Sequence, residues 1–125
     1  MEITLVILLT ILIAKHFAFD YMWQTPAMLA GKGIYGNWWG VLHSLLHSWG
    51  TGIAIVVIFF MGTFPLWIFL LPALDFSIHY NVDYIKAHYG PGIDQVTEPI
   101  YWFWHGLDQF MHYATYVLIA VLVFI

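Results

Sequence analysis

Residues 38–84 read WWGVLHSLLHSWGTGIAIVVIFFMGTFPLWIFLLPALDFSIHYNVDY, and this stretch decides the fold. It holds two apolar runs, 38–61 and 64–84, each long enough to cross a hydrocarbon core, which takes about 20 residues. Only the turn Met61-Gly62-Thr63-Phe64-Pro65 parts them, so an antiparallel hairpin is expected. Pro65 suits a first helical turn, and Pro72 is expected to kink the second arm. The polar residues of the hairpin are the informative ones. His43 and His47 stand early in its first arm, and Asp75, His79 and Asp83 late in its second. A hairpin brings these two regions to the same depth.

Working outward, 2–21 and 100–125 are apolar runs of similar length. The expected architecture is an all-α integral membrane protein. It is a four-helix transmembrane up-down bundle, a single transmembrane domain over 1–125 with helices at roughly 2–21, 38–61, 64–84 and 100–125. The first run lacks a positively charged start and a small-x-small cleavage site, so it is expected to be a span and not a cleaved signal. Residues 22–37, with Pro26 and Gly31-Lys32-Gly33-Ile34-Tyr35-Gly36, and 85–99, with Gly90-Pro91-Gly92, read as interfacial loops. Trp23, Trp38, Trp39, Trp102 and Trp104 cluster beside them as an aromatic belt does.

Composition agrees. The 125 residues are 62% hydrophobic and 8% charged, against about 25% charged in soluble domains. That excludes a soluble globular enzyme and a disordered chain. Three lysines without arginine exclude nucleic acid as a partner. The absence of cysteine removes disulfides, thiolate nucleophiles and cysteine metal sites. Lys15, Lys32 and Lys86 fall at one end of the expected bundle. The positive-inside rule then turns that end to the cytoplasm and leaves both termini outside.

Intramembrane His and Asp are costly unless they pair or work, yet here they recur at helical spacing. His16, Asp20 and Gln24 make one stripe, and His43 and His47 a second. Asp75, His79 and Asp83 make a third, extended by Lys86, and His105, Asp108, Gln109 and His112 a fourth. In an up-down bundle all four stripes lie in one leaflet and must face inward. The other half is apolar.

Histidines at i and i+4, with aspartates from neighbouring helices, are the donors that converge on a divalent metal. The metal-ligand set is His16, His43, His47, His79, Asp83, Asp108 and His112. Asp20, Asp83 and Asp108 are the candidate catalytic carboxylates. This supply exceeds what one zinc takes, so either two metals bind or some carboxylates hold imidazole tautomers. Zinc is the first choice for a Cys-free His/Asp set, with iron or manganese open. Two blander readings use the same residues: interhelical hydrogen-bonded glue and a proton relay. His88 reads as a solvated loop residue, His105 as an interfacial anchor, and Asp75 as a deeper group pairing with a neighbour. Lys32 and Lys86, with Gln24 and Gln109, form the candidate substrate-binding set. The lysines either hold an anionic group beside the metal or snorkel to the interface.

The order His16-x-x-x-Asp20-x-x-x-Gln24-Thr25, then Lys32, His43-x-x-x-His47, His79-x-x-x-Asp83-x-x-Lys86 and Leu107-Asp108-Gln109-x-x-His112 resembles a known pattern. It is that of the bacterial and phage membrane-protein family catalogued as domain of unknown function 3307. The resemblance covers nearly the whole chain, with Asp75 and His105 outside its motifs. In motif style the chain is also similar to membrane-bound metal-dependent hydrolases, which implies hydrolysis as the reaction class. The expected function is metal-dependent hydrolysis of an anionic lipid or other membrane-associated substrate, with the lipid bilayer as partner. The alternatives are proton or metal-ion conduction, and a structural membrane subunit. Against conduction, the apolar half offers no continuous polar path.

Overall fold

In the computed structural model, which describes residues 2–125, α1 (Glu2–Phe17) runs into a π-helical turn, Ala18–Met22. A short α2 (Pro26–Lys32) precedes the long α3 (Trp38–Phe59). A 3-10 segment, Leu66–Leu70, leads into α4 (Leu71–Tyr89), and a 3-10 turn, Ile93–Gln95, precedes α5 (Pro99–Val123).

The expected four-helix transmembrane bundle is therefore corrected. The described residues form five α-helices. Only three of their segments, Glu2–Met22, Trp38–Phe59 and Pro99–Val123, are long and apolar enough to cross a membrane. Those three make this an integral membrane protein in contact with lipid. The expected span over 64–84 fails for two reasons. Pro65 holds extended backbone (ψ 146°), and the apolar residues after it wind as the 3-10 segment. The α-helix restarts at Leu71 with Pro72 in its first turn, where a missing N–H costs nothing, so Pro72 begins a helix and does not kink one. The remainder, α4, carries Asp75, Asp83 and Lys86 besides His79 and His88. It is too polar for lipid and packs instead against α3 and α5.

The fifth helix is α2, inside the stretch expected to be a loop. Thr25 accepts a hydrogen bond from the Met28 amide at 3.2 Å, and Pro26 occupies the first turn. Asn37 caps α3 in the same way, accepting from the Trp39 amide at 2.9 Å. Where α2 crosses α3, Gly31 meets Gly40. A Cβ added to Gly40 would stand 2.9 Å from the Gly31 carbonyl oxygen. This close approach draws the end of α2, and with it Lys32, over the interior.

The interior has two unlike halves. Leu8 and Leu12 of α1, Ala54, Ile55 and Ile58 of α3, Ile68 and Leu71, and Ile119 and Val123 of α5 form a closed apolar core. Thr4, Phe64 and Val123 line one cleft at its outer end, so both ends of the described chain lie there. The other half is polar. Large apolar side chains such as Val6, Val56, Phe110 and Val121 point outward, as a bilayer requires of a lipid-facing surface.

Candidate metal centre

The polar half is built from the ends of four helices. The π turn, closed by the Trp23 amide on the Ala18 carbonyl at 3.0 Å, widens the end of α1 and carries Asp20 inward; such turns recur at functional sites. Asp20 Oδ1 stands 3.0 Å from His43 Nε2 and 3.1 Å from His47 Nε2, one turn apart on α3. His79 Nε2 on α4 is 3.3 Å from His43 Nε2. One turn on, Asp83 Oδ2 is 3.3 Å from His79 Nε2 and 3.4 Å from His43 Nε2. Asp83 Oδ1 is 3.4 Å from His112 Nε2 of α5, which lies 3.4 Å from Asp108 Oδ1. His16, His43, His47, His79 and His112 are each at most 1% exposed.

These residues supply three overlapping sets of donors, each with its atoms within 4.8 Å of one another. They are Asp20, His43, His47 and His79; His16, His79 and His112; and Asp83, Asp108 and His112. Four donors at zinc-bond distance in a tetrahedron stand about 3.3 Å apart. The contacts of 3.0, 3.1 and 3.3 Å in the first set are edges of that size. Asp108 Oδ1 and His112 Nε2 are buried without a hydrogen bond. Buried polar atoms left so incur a desolvation penalty, which a cation among the carboxylates and Nε2 atoms would offset. The cluster can coordinate a divalent metal.

The remaining sequence-derived candidates are placed differently. Lys32 enters the cluster, with Nζ 3.0 Å from Asp83 Oδ2 and 3.9 Å from Asp20 Oδ1. Burial opposes its charge, but the Asp83 and Asp20 carboxylates outweigh burial and hold its pKa above the ordinary lysine value. Lys86 stays outside. With Val82, Ile85, Trp104, Leu107 and Met111 it lines a cavity of about 230 Å³ between α4 and α5 that reaches Asp108. Gln24 donates to the Asp20 backbone carbonyl at 3.1 Å. Gln109 donates to Asp108 Oδ2 at 3.1 Å and accepts from His16 Nε2 at 2.9 Å. His16 Nδ1 then accepts from the Tyr116 hydroxyl at 3.0 Å, so both nitrogens of His16 are engaged within the protein.

Outside the cluster, exposed His88 bonds the Gly33 carbonyl at 3.0 Å, and His105 packs against Tyr101 and Trp102. Lys15, read from sequence only as a topology signal, is buried beneath the cluster. Its Nζ meets Asp75 Oδ2 at 2.6 Å and the His47 carbonyl at 2.9 Å, while Thr51 donates to the same Asp75 oxygen at 2.5 Å. Gly50 makes room for the lysine stem, since a Cβ there would lie 2.9 Å from Lys15 Cδ. Sequence reasoning missed Tyr116 and Thr51. Each stands four residues beyond a histidine of the cluster, His112 and His47, and that spacing was the available signal.

These observations define a class: a helical, partly membrane-spanning protein with a buried His/Asp cluster able to hold a metal. Its family is also shown. The family model described as protein of unknown function (DUF3307) matches residues 7–125, and the chain belongs to that family. No curated protein and no solved structure matches it.

Proposed function

We propose that this protein is a metal-dependent hydrolase acting on an anionic lipid or another membrane-associated ester, with zinc as its resident ion. The observation that carries this reading is the convergence of buried imidazoles and carboxylates from α1, α3, α4 and α5. His43, His47, His79 and His112 would hold the ion, with Asp83 and Asp108. A divalent ion there acts as a Lewis acid and brings the pKa of a water toward neutrality. Asp20 would join these donors, its Oδ1 already standing 3.0 and 3.1 Å from the His43 and His47 imidazoles. Gln109 keeps His16 and Asp108 in register.

The cavity between α4 and α5 supports a lipid-like substrate. Its walls are apolar, and Asp108 and Lys86 are among the residues around it. We place the cluster toward the cytoplasmic leaflet, with both termini outside, on the position of the three lysines, the segment from Leu66 to Tyr89 carrying the chain back through the bundle against α3 and α5.

The test uses detergent-purified full-length chain stripped with chelator and reloaded with zinc. It is assayed on micellar phosphatidylglycerol and phosphatidic acid and on a soluble carboxylic ester. Zinc-dependent turnover of a lipid, abolished in His43→Ala, supports the proposal. Failure to retain zinc, or turnover indifferent to it, overturns it.

A further inference from the structure

We infer that the cluster holds two metal ions bridged by Asp83, an inference that rests on the metal-binding reading above. The two oxygens of Asp83 face different donor sets. Oδ2 is turned to His43 and His79, at 3.4 and 3.3 Å, beside Lys32 Nζ at 3.0 Å, and Oδ1 to His112 at 3.4 Å. The first position is completed by Asp20 and His47, the second by Asp108, whose Oδ1 is 3.4 Å from the same His112 nitrogen. A carboxylate that offers one oxygen to each of two sites is the geometry of co-catalytic pairs, whose ions stand about 3.5–4 Å apart. In helical bundles such pairs are built from inward-facing acids and histidines on facing helices.

The donor count points the same way. Asp20, His43, His47 and His79 form one donor set, which Asp83 Oδ2 adjoins through His43 and His79. A single ion there would leave Asp108 Oδ1 and His112 Nε2 buried with no hydrogen bond. Charge separates the two cases functionally. Asp20, Asp83 and Asp108 against Lys32 leave two negative charges. One divalent ion cancels them, and a second makes the centre positive. The paired centre thus attracts an anionic group such as a phosphate ester, which the single-ion centre does not. The second donor set is the one that adjoins the α4–α5 cavity, through Asp108.

The experiment is metal counting with spin detection on full-length protein in detergent. Chelator-stripped chain is loaded with zinc for elemental analysis, and in parallel with manganese(II) for electron paramagnetic resonance. Two zinc ions per chain and an exchange-coupled manganese spectrum are expected. Asp108→Asn and His112→Gln should each lower the count to one and give an isolated-ion spectrum, with helicity by circular dichroism unchanged. One ion per wild-type chain with an isolated-ion spectrum overturns the pair and leaves hydrolysis at a single metal standing. No retained ion in wild type overturns both.

Discussion

Lys32 Nζ lies 3.0 Å from Asp83 Oδ2, so the molecule carries its own cation inside its acidic cluster. The ammonium comes from α2 and reaches the carboxylate because Gly31 and Gly40 let two backbones touch. Without a metal, this ion pair is what keeps Asp83 charged and buried.

Replacing Lys32 by Met should therefore destabilise the metal-free protein far more than the loaded one. Breaking a buried pair by removing one partner costs about 3–5 kcal/mol, whereas a bound divalent ion supplies the missing positive charge. Thermal unfolding in detergent, with and without zinc, checks this. Equal losses in both states would show that Lys32 serves the folded chain independently of metal.

Lys15 and Asp75 form a second buried pair at 2.6 Å, one layer deeper. Lys15→Met and Asp75→Leu should each cost about 3–5 kcal/mol, and the double variant much less than their sum. Zinc content should be the same in every variant that folds. A double variant that loses its metal would place this pair within the centre.

Tyr116 holds His16 Nδ1 through its hydroxyl at 3.0 Å while its ring packs in the apolar core. In Tyr116→Phe the ring stays and the hydrogen bond goes. Stability should fall by about 1 kcal/mol, with metal affinity unchanged, since both His16 nitrogens bond within the protein and neither is left for an ion. Competition against a coloured chelator gives the affinity. A loss of about tenfold or more would bring His16 into the centre as a metal-site histidine.

Gly40→Ala tests the seat of α2. The added Cβ stands 2.9 Å from the Gly31 carbonyl oxygen and 3.3 Å from Lys32 Cα, so backbone must shift. The expected result is faster amide exchange across Pro26–Lys32, with α3 still protected. Thermal stability should fall in the metal-free state as Lys32 withdraws from Asp83. Unchanged exchange in α2 would show that the crossing tolerates a methyl group.

Much of the site was legible in the sequence. Spacing of four put His43 with His47 and His79 with Asp83 on single helix faces, and chain reversal at Met61–Pro65 set those faces at one depth. Helix existence was harder. Pro65 and Pro72 read as punctuation within one span, whereas each begins a separate helical segment. The Thr25-Pro26 start signal for α2 was present but hidden by the glycines that follow. Pairings such as Lys15 with Asp75, sixty residues apart, depend on the rotation of α1 against α4. Local pattern carries no information about that rotation. Lys32 and Lys86 looked equivalent for the same reason, although only Lys32 reaches the carboxylates.

The plug of Leu8, Leu12, Ile55, Ile58, Ile68 and Ile119 makes the polar chamber a cul-de-sac. Among the described residues this plug separates the polar cluster from the opposite end of the bundle, so a reactant of the proposed chemistry would enter and leave on the cluster's own side. Turnover of the proposed kind would then be governed by traffic at a single doorway.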